Sequence, residues 1–242
     1  MNLADSADSR AEPIAADAAV PRVVVAIDGT SGSGKSSTAR GVAARLGMRY
    51  LDTGAMYRAM TWWMLQHGID TTDPEAVAAH APEPVIEAGT DPLAPTITLD
   101  GVEVSTEIRS ARVNAHVSPV ATVPAVRARL VADQQEIIRR TLGDAGIVVE
   151  GRDIASVVWP DAEVRLFLSA DPAARARRRA AEEGGTDELG VRRSLEHRDR
   201  IDSTRGGLEL VDGATTIDTT DDTLEQVIDR VTALVRSVGA TA

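Results

Sequence analysis

The stretch VVVAIDGTSGSGKSSTARGVAARLG, Val23 to Gly47, constrains the fold of this chain more than any other part of it. Val23 to Ile27 is an unbroken apolar, largely β-branched run, the pattern of a strand buried on both faces in a parallel sheet. Lys35 to Leu46 carries Ala39, Val42, Ala43 and Leu46 at helical spacing and stops at Gly47, a natural helix C-cap. Between strand and helix, Gly29-Thr30-Ser31-Gly32-Ser33-Gly34-Lys35-Ser36 fits G-x-x-x-x-G-K-[ST] residue for residue. In that context the glycines let the backbone turn tightly and offer successive N–H groups to a polyphosphate, at a helix terminus whose dipole favours negative charge. Lys35 can reach the β- and γ-phosphates and the Ser36 hydroxyl can meet Mg²⁺, directly or through water. A glycine-rich turn without a ligand would show the same glycines. The register of the lysine and the correct flanks favour a nucleoside triphosphate, held by Gly29 to Ser36 and by Ser37.

Composition sharpens this. Lys35 is the sole lysine among 26 basic residues, so an ammonium stands where arginine is used everywhere else. That choice suits a compact point charge in the loop, although compositional bias alone would also favour arginine. The net charge of −11 argues against general affinity for nucleic acid or an anionic membrane surface, so an anion site must be local. With no cysteine, thiolate metal sites, cysteine nucleophiles and disulfide scaffolds are excluded. No apolar run is long enough to span a bilayer. Residues 1–21, rich in Ala, Asp, Ser and Pro, lack the basic and apolar regions of a signal peptide and read as a disordered acidic tail. A cytoplasmic monomer is expected.

Further along, Arg49 to Asp52 reads as a strand and Gly54 to about Gln66 as a helix, which implies an α/β fold with a parallel sheet. Between about Ala81 and Ala121 the pattern changes to PTITLDGVEVST, two alternating runs joined by Asp100-Gly101, a hairpin signal that suggests a small antiparallel insert. Ala125 to about Leu142 reads as a helix, IVVEG, VRLFLSA and ATTIDTT as strands, and Asp222 to Val235 as a final amphipathic helix.

The acceptor side can be argued from charge. A guanine-specific N-K-x-D element is impossible with the one lysine already used. A kinase acting on an alcohol benefits from a carboxylate base. One acting on a nucleoside monophosphate does not, because the acceptor phosphate, with a second pKa near ~6, is already a nucleophilic dianion. It needs cations that bring two polyanions together. RDRIDSTR places Arg198, Asp202 and Arg205 on one helical face, although a surface salt-bridge ladder would use the same spacing. Arg175, Arg177, Arg178, Arg179, Arg192 and Arg193 crowd together upstream, which a polyanion would relieve.

The loop, LDTGAMYR at 51–58, the hairpin insert, EGRD at 150–153 and RDRIDSTR, in that order, resemble the bacterial cytidylate kinases over about residues 22–236. The resemblance implies a P-loop NTPase core with its parallel sheet flanked by helices, a monophosphate-binding insert at about 81–121 and a helical lid at about 175–195. It implies Mg²⁺-dependent transfer from ATP to CMP and dCMP. By the same resemblance, Thr53 and Arg58 approach the acceptor, Ser118 and Arg127 read cytosine, Arg152 and Asp153 meet phosphate or sugar, and Arg198, Asp202 and Arg205 bind the acceptor, Asp202 on its sugar. Lys35, Arg58, Arg152, Arg198 and Arg205 form the catalytic set. Two positions depart from the family pattern: Ser36-Ser37 replaces the Gly-Thr common after the loop lysine of nucleotide kinases, and Glu150 stands where an Asp is frequent. Kinases of UMP or AMP, kinases of a small metabolite alcohol, and a regulatory module that binds nucleotide without transfer are the competing readings.

Overall fold

A computed structural model describes residues 21–182, 187–203 and 210–239. The expected tail, apart from Pro21, lies outside the described residues, as does Arg205. The described chain runs β1 (Val24–Gly29), α1 (Lys35–Leu46), β2 (Arg49–Asp52), α2 (Thr53–Gln66), α3 (Pro74–His80), β3 (Ile86–Ala88), β4 (Ile97–Leu99), β5 (Val102–Glu103), α4 (Ala111–Thr122), α5 (Pro124–Leu142), β6 (Ile147–Glu150), β7 (Val164–Ser169), α6 (Pro172–Glu182), α7 (Glu188–Ser203), β8 (Thr215–Asp218) and α8 (Leu224–Gly239).

Five strands pair in parallel in the order β2-β6-β1-β7-β8. Both faces of β1 are covered, which is why its run is continuously apolar. Val24 and Ala26 join Leu51, Val149 and the buried residues of α2 and α5 on one side. Val23, Val25 and Ile27 join Tyr50, Val148 and the inner faces of α1 and α8 on the other. In α8 the buried positions Val227, Ile228, Val231 and Val235 follow the helical repeat, so the amphipathic pattern is satisfied by packing on the sheet.

Local chemistry sets the element ends. Gly47, at φ 65°, closes α1 in the left-handed region. The Asp52 carboxylate accepts the Ala55 N–H at 2.8 Å and starts α2. Asp73 caps α3, with Pro74 in its first turn.

The expected hairpin is present: β4 and β5 pair antiparallel across Asp100 (φ 51°) and Gly101 (φ 79°), the two left-handed residues that such a turn requires. The structure adds β3 as a third strand against β4, and two helices the sequence reading did not include, α3 and α4. Ser118 and Pro119 lie within α4 rather than in a turn. The small sheet is tied back to the core, since Tyr50 N–H donates to Thr90 O at 3.0 Å and Arg40 Nε to Pro92 O at 3.0 Å. No helix of the described residues is long and apolar enough to cross a membrane.

Candidate active site

In the sheet β1 lies between β6 and β7; the chain leaves β1 past β6 to β2 but leaves β7 in the opposite direction to β8, so the loop after β1 opens at the crevice where open α/β sheets bind ligands. Gly29 ends β1 at φ 145°, and a Cβ there would lie 2.0 Å from Leu168 O, so no side chain fits. Gly34 precedes α1 in the left-handed region and no side chain caps the helix. The first-turn N–H groups of α1 therefore face the loop's interior as an anion site. Lys35 is buried beneath them, its Nζ donating to Thr30 O at 2.7 Å, while Ser33 Oγ donates to the same carbonyl at 2.9 Å. Burial, aided by the positive Arg152 nearby, lowers the Lys35 pKa from the ordinary lysine range.

Two carboxylates support the loop from beneath. Asp28 is buried and accepts the Ile154 and Ala155 N–H groups at 2.8 and 2.9 Å. Its pKa is nevertheless raised to about 6, because desolvation outweighs those bonds. Glu150, at the end of β6, accepts the Tyr50 hydroxyl at 2.8 Å and is also hydrogen-bonded by the Ser36 side chain. Burial, with Asp52 adding repulsion, raises its pKa. The same burial and the neighbouring Glu150 carboxylate push the Tyr50 phenol strongly upward, so it stays a hydrogen-bond donor. Ser36 and Glu150 thus bring a hydroxyl and a carboxylate together, a hard-oxygen pair that suits Mg²⁺. Among the described residues no group of three or more His, Asp or Glu side chains could enclose a metal alone.

One cleft of about 290 Å³ joins the loop to the acceptor-side residues. Ser31, Gly32, Gly34, Lys35, Ser36 and Ser37 line one end, and Thr53, Arg58, Ser118, Arg127, Arg152 and Asp153 the other. Sequence-distant segments therefore meet: the start of α2, the middle of α4, the first turn of α5 and the segment after β6. Thr53 Oγ1 donates to Glu150 O at 2.8 Å, fixing α2 against the end of β6. Arg58 Nη2 donates to Asp52 Oδ2 at 3.0 Å, and Arg109, which the sequence reading passed over, approaches the same oxygen at 3.6 Å. Arg127 Nη2 pairs with Asp153 Oδ2 at 2.5 Å. Arg152 reaches back across the cleft, donating to Gly29 O at 2.8 Å and to the Ser31 hydroxyl.

The arginines of the expected lid separate into different environments. Arg175 is buried and donates to Ser31 O at 3.0 Å and Ala170 O at 3.1 Å. Arg178 is tied to Thr219 and Thr220 at the end of β8. Arg179 lines the cleft, whereas Arg192 pairs with Glu196 at the surface and Arg177 and Arg193 are exposed. Arg198 and Asp202 lie on α7, their side chains outside what is described. Asp199, their neighbour, was not singled out from the sequence; it accepts the Ser31 N–H at 3.0 Å and pairs with Arg175.

The sequence model of the cytidylate kinase family matches residues 25–237. The cytidylate kinase of Streptomyces avermitilis is 53% identical over 218 residues, spanning 89% of this chain and 94% of the relative. That of Nocardia farcinica is 47% identical over 220 residues, 88% of this chain and 93% of the relative. A solved structure of an uncharacterized protein from Eubacterium ventriosum aligns with a TM-score of 0.50 at 12% identity, covering 89% of this chain and 99% of that one, a likeness of fold alone. The loop, the arginine-lined cleft and these matches agree: the chain belongs to the cytidylate kinase family.

Proposed function

We propose that the cleft transfers the γ-phosphoryl group of ATP to CMP, and to dCMP, giving ADP and CDP or dCDP. The observation that carries this reading is the single cleft in which the phosphate loop faces Arg58, Arg127 and Arg152. The loop N–H groups and Lys35 hold the β- and γ-phosphates. Arg58 and Arg152 neutralise the acceptor phosphate as it approaches the donor, a charge-stabilising role suited to in-line phosphoryl transfer. Ser118 and Arg127 address the pyrimidine edge, and Asp153 holds the Arg127 guanidinium in the plane from which it can donate. Arg198, Asp202 and Arg205 complete the acceptor side, Asp202 at the sugar. The segment of about 81–121 acts as the monophosphate-binding insert and that of about 175–195 as the lid. Ser36 and Glu150 are the residues that would hold Mg²⁺, which when bound neutralises charge on the β- and γ-oxygens.

The carboxylates described in the cleft support a phosphate rather than an alcohol acceptor. Asp52 is engaged by Arg58, Asp153 by Arg127, and Glu150 by Tyr50 and Ser36. None of these three stands ready as a general base, and a phosphate dianion needs none.

An acceptor panel tests the reading. Chromatographic product analysis with ATP, Mg²⁺ and each of CMP, dCMP, UMP, AMP and GMP should show CDP and dCDP as the dominant products. Equal ADP release with every nucleotide and with none would overturn it.

A further inference from the structure

We propose that Asp199 is a positioning residue for phosphoryl transfer: it orients the Arg152 guanidinium against the donor loop. The inference rests on the kinase reading above and extends it to a residue with no role in that reading. Its basis is a convergence of three other segments on one carboxylate of α7. Asp199 Oδ1 accepts the Ser31 N–H of the loop at 3.0 Å and lies 3.4 Å from Arg152 Nη1, which follows β6. Its other oxygen pairs with Nη1 of Arg175 on α6. Arg175 is only 6% exposed and Asp199 side-chain exposure is 15%, so these are shielded charge-assisted bonds rather than a surface ladder.

The placement decides between a strut and a stand-in for phosphate. Asp199 takes the amide of Ser31, the third residue of the loop and four positions before α1 begins. The uncapped first turn of α1, where Gly34, Lys35 and Ser36 present their N–H groups, is left for donor oxygens. Arg152 Nη1 is shared between Asp199 and Gly29 O, and Nη2 donates to the Ser31 hydroxyl, so the guanidinium is held on the donor side of the cleft with a fixed plane. Removing the Asp199 carboxylate frees the orientation of a cation that acts on the transferring group. A misplacement on the ångström scale is enough to cost turnover heavily.

A double-mutant cycle on kcat tests this, with Asp199→Asn, Arg152→Ala and the pair, alongside ATP affinity by calorimetry. Asparagine keeps an oxygen for Ser31 N–H but removes the charge that orients Arg152. In Asp199→Asn we expect kcat to fall roughly 10- to 100-fold, with ATP affinity and the KM for CMP changed less than about 3-fold. In the Arg152→Ala background the same change should cost less than about 2-fold, because the group it positions is gone. Additive losses, or an unchanged kcat in the single variant, would overturn the proposal while leaving CMP phosphorylation by the unaltered enzyme intact. Absence of CDP formation by the unaltered enzyme would instead sink the kinase reading and this inference with it. Should Asp199→Asn fail to fold, Asp199→Glu, which keeps the charge but displaces it by one methylene, must show the same dependence on Arg152.

Discussion

In the proposed reading, base selectivity turns on Arg127. It lines the cleft from the first turn of α5 and is held by Asp153, so its guanidinium is oriented before any ligand arrives. A site built around such a donor rejects ligands that leave it unpaired. Arg127→Ala is expected to raise the KM for CMP about 10-fold or more and to narrow the preference for CMP over UMP, with kcat within about 3-fold. Steady-state kinetics with both acceptors checks it, and an unchanged KM would remove Arg127 from base reading. Lys35 gives a second test through protons. In the free protein burial makes its ammonium more acidic than an ordinary lysine, whose pKa is 10.5. Phosphate oxygens favour the charged form, so nucleotide raises the pKa again. The sign follows: ATP binding takes up protons at pH values above the lowered pKa and below the restored one, and none well below both. Calorimetry in buffers of different ionisation enthalpy should show this uptake at mildly alkaline pH and its loss in Lys35→Ala. That variant should also lose about 10²-fold or more in kcat, the scale of removing one preorganised donor.

Elements differ in how openly the sequence declared them. Continuous apolar runs marked the central parallel strands β1 and β6, because burial on both faces leaves little room for polar residues. Asp100-Gly101 marked its hairpin because few other pairs accept two left-handed residues in succession. β3 was hidden by its length of three residues, and α4 by Pro119, which reads as a helix breaker although the helix continues through it to Thr122. The loop lysine and the arginines of GRD and AMYR were legible from motif register. Asp199 was not, since spacing drew attention to the face of Arg198 and Asp202, and only the approach of α7 to the loop reveals the inward-facing neighbour. Spacing likewise could not separate Arg178, anchored at the end of β8, from Arg179, which lines the cleft. Packing of α1 on α8 gives a prediction at this scale. A mid-helix glycine normally gains about 1 kcal/mol on replacement by alanine, but a Cβ at Gly41 would lie 2.3 Å from Ile228 Cδ1. Gly41→Ala should therefore lower stability, by about 1 kcal/mol after overpacking offsets the helix gain. In an Ile228→Ala background, which removes both Cδ1 and the Cγ1 that would lie 2.9 Å away, it should become neutral or stabilising. Denaturant unfolding of the four proteins checks this, and simple additivity would contradict the packing account.

At the scale of the whole molecule, the proposed reading requires the fold to exclude water during transfer. β1 and β6 form the floor of the cleft, residues of α2, α4 and α5 line it opposite the loop, and α6 and α7 meet the loop through Arg175 and Asp199. Each wall is anchored to the loop or to the end of β6 by a buried or half-buried hydrogen bond, including Thr53 to Glu150 O and Arg152 to Gly29 O. In the proposed reading this arrangement brings two anions together and leaves a hydrolytic water poorly placed. The most direct test of this account is phosphorus NMR of a mixture of ATP, CMP, Mg²⁺ and the protein, followed in real time. ADP and CDP should rise together in equal amounts with inorganic phosphate negligible, and omission of CMP should nearly stop ATP consumption. Inorganic phosphate released at the same rate with or without CMP, and no CDP, would contradict it.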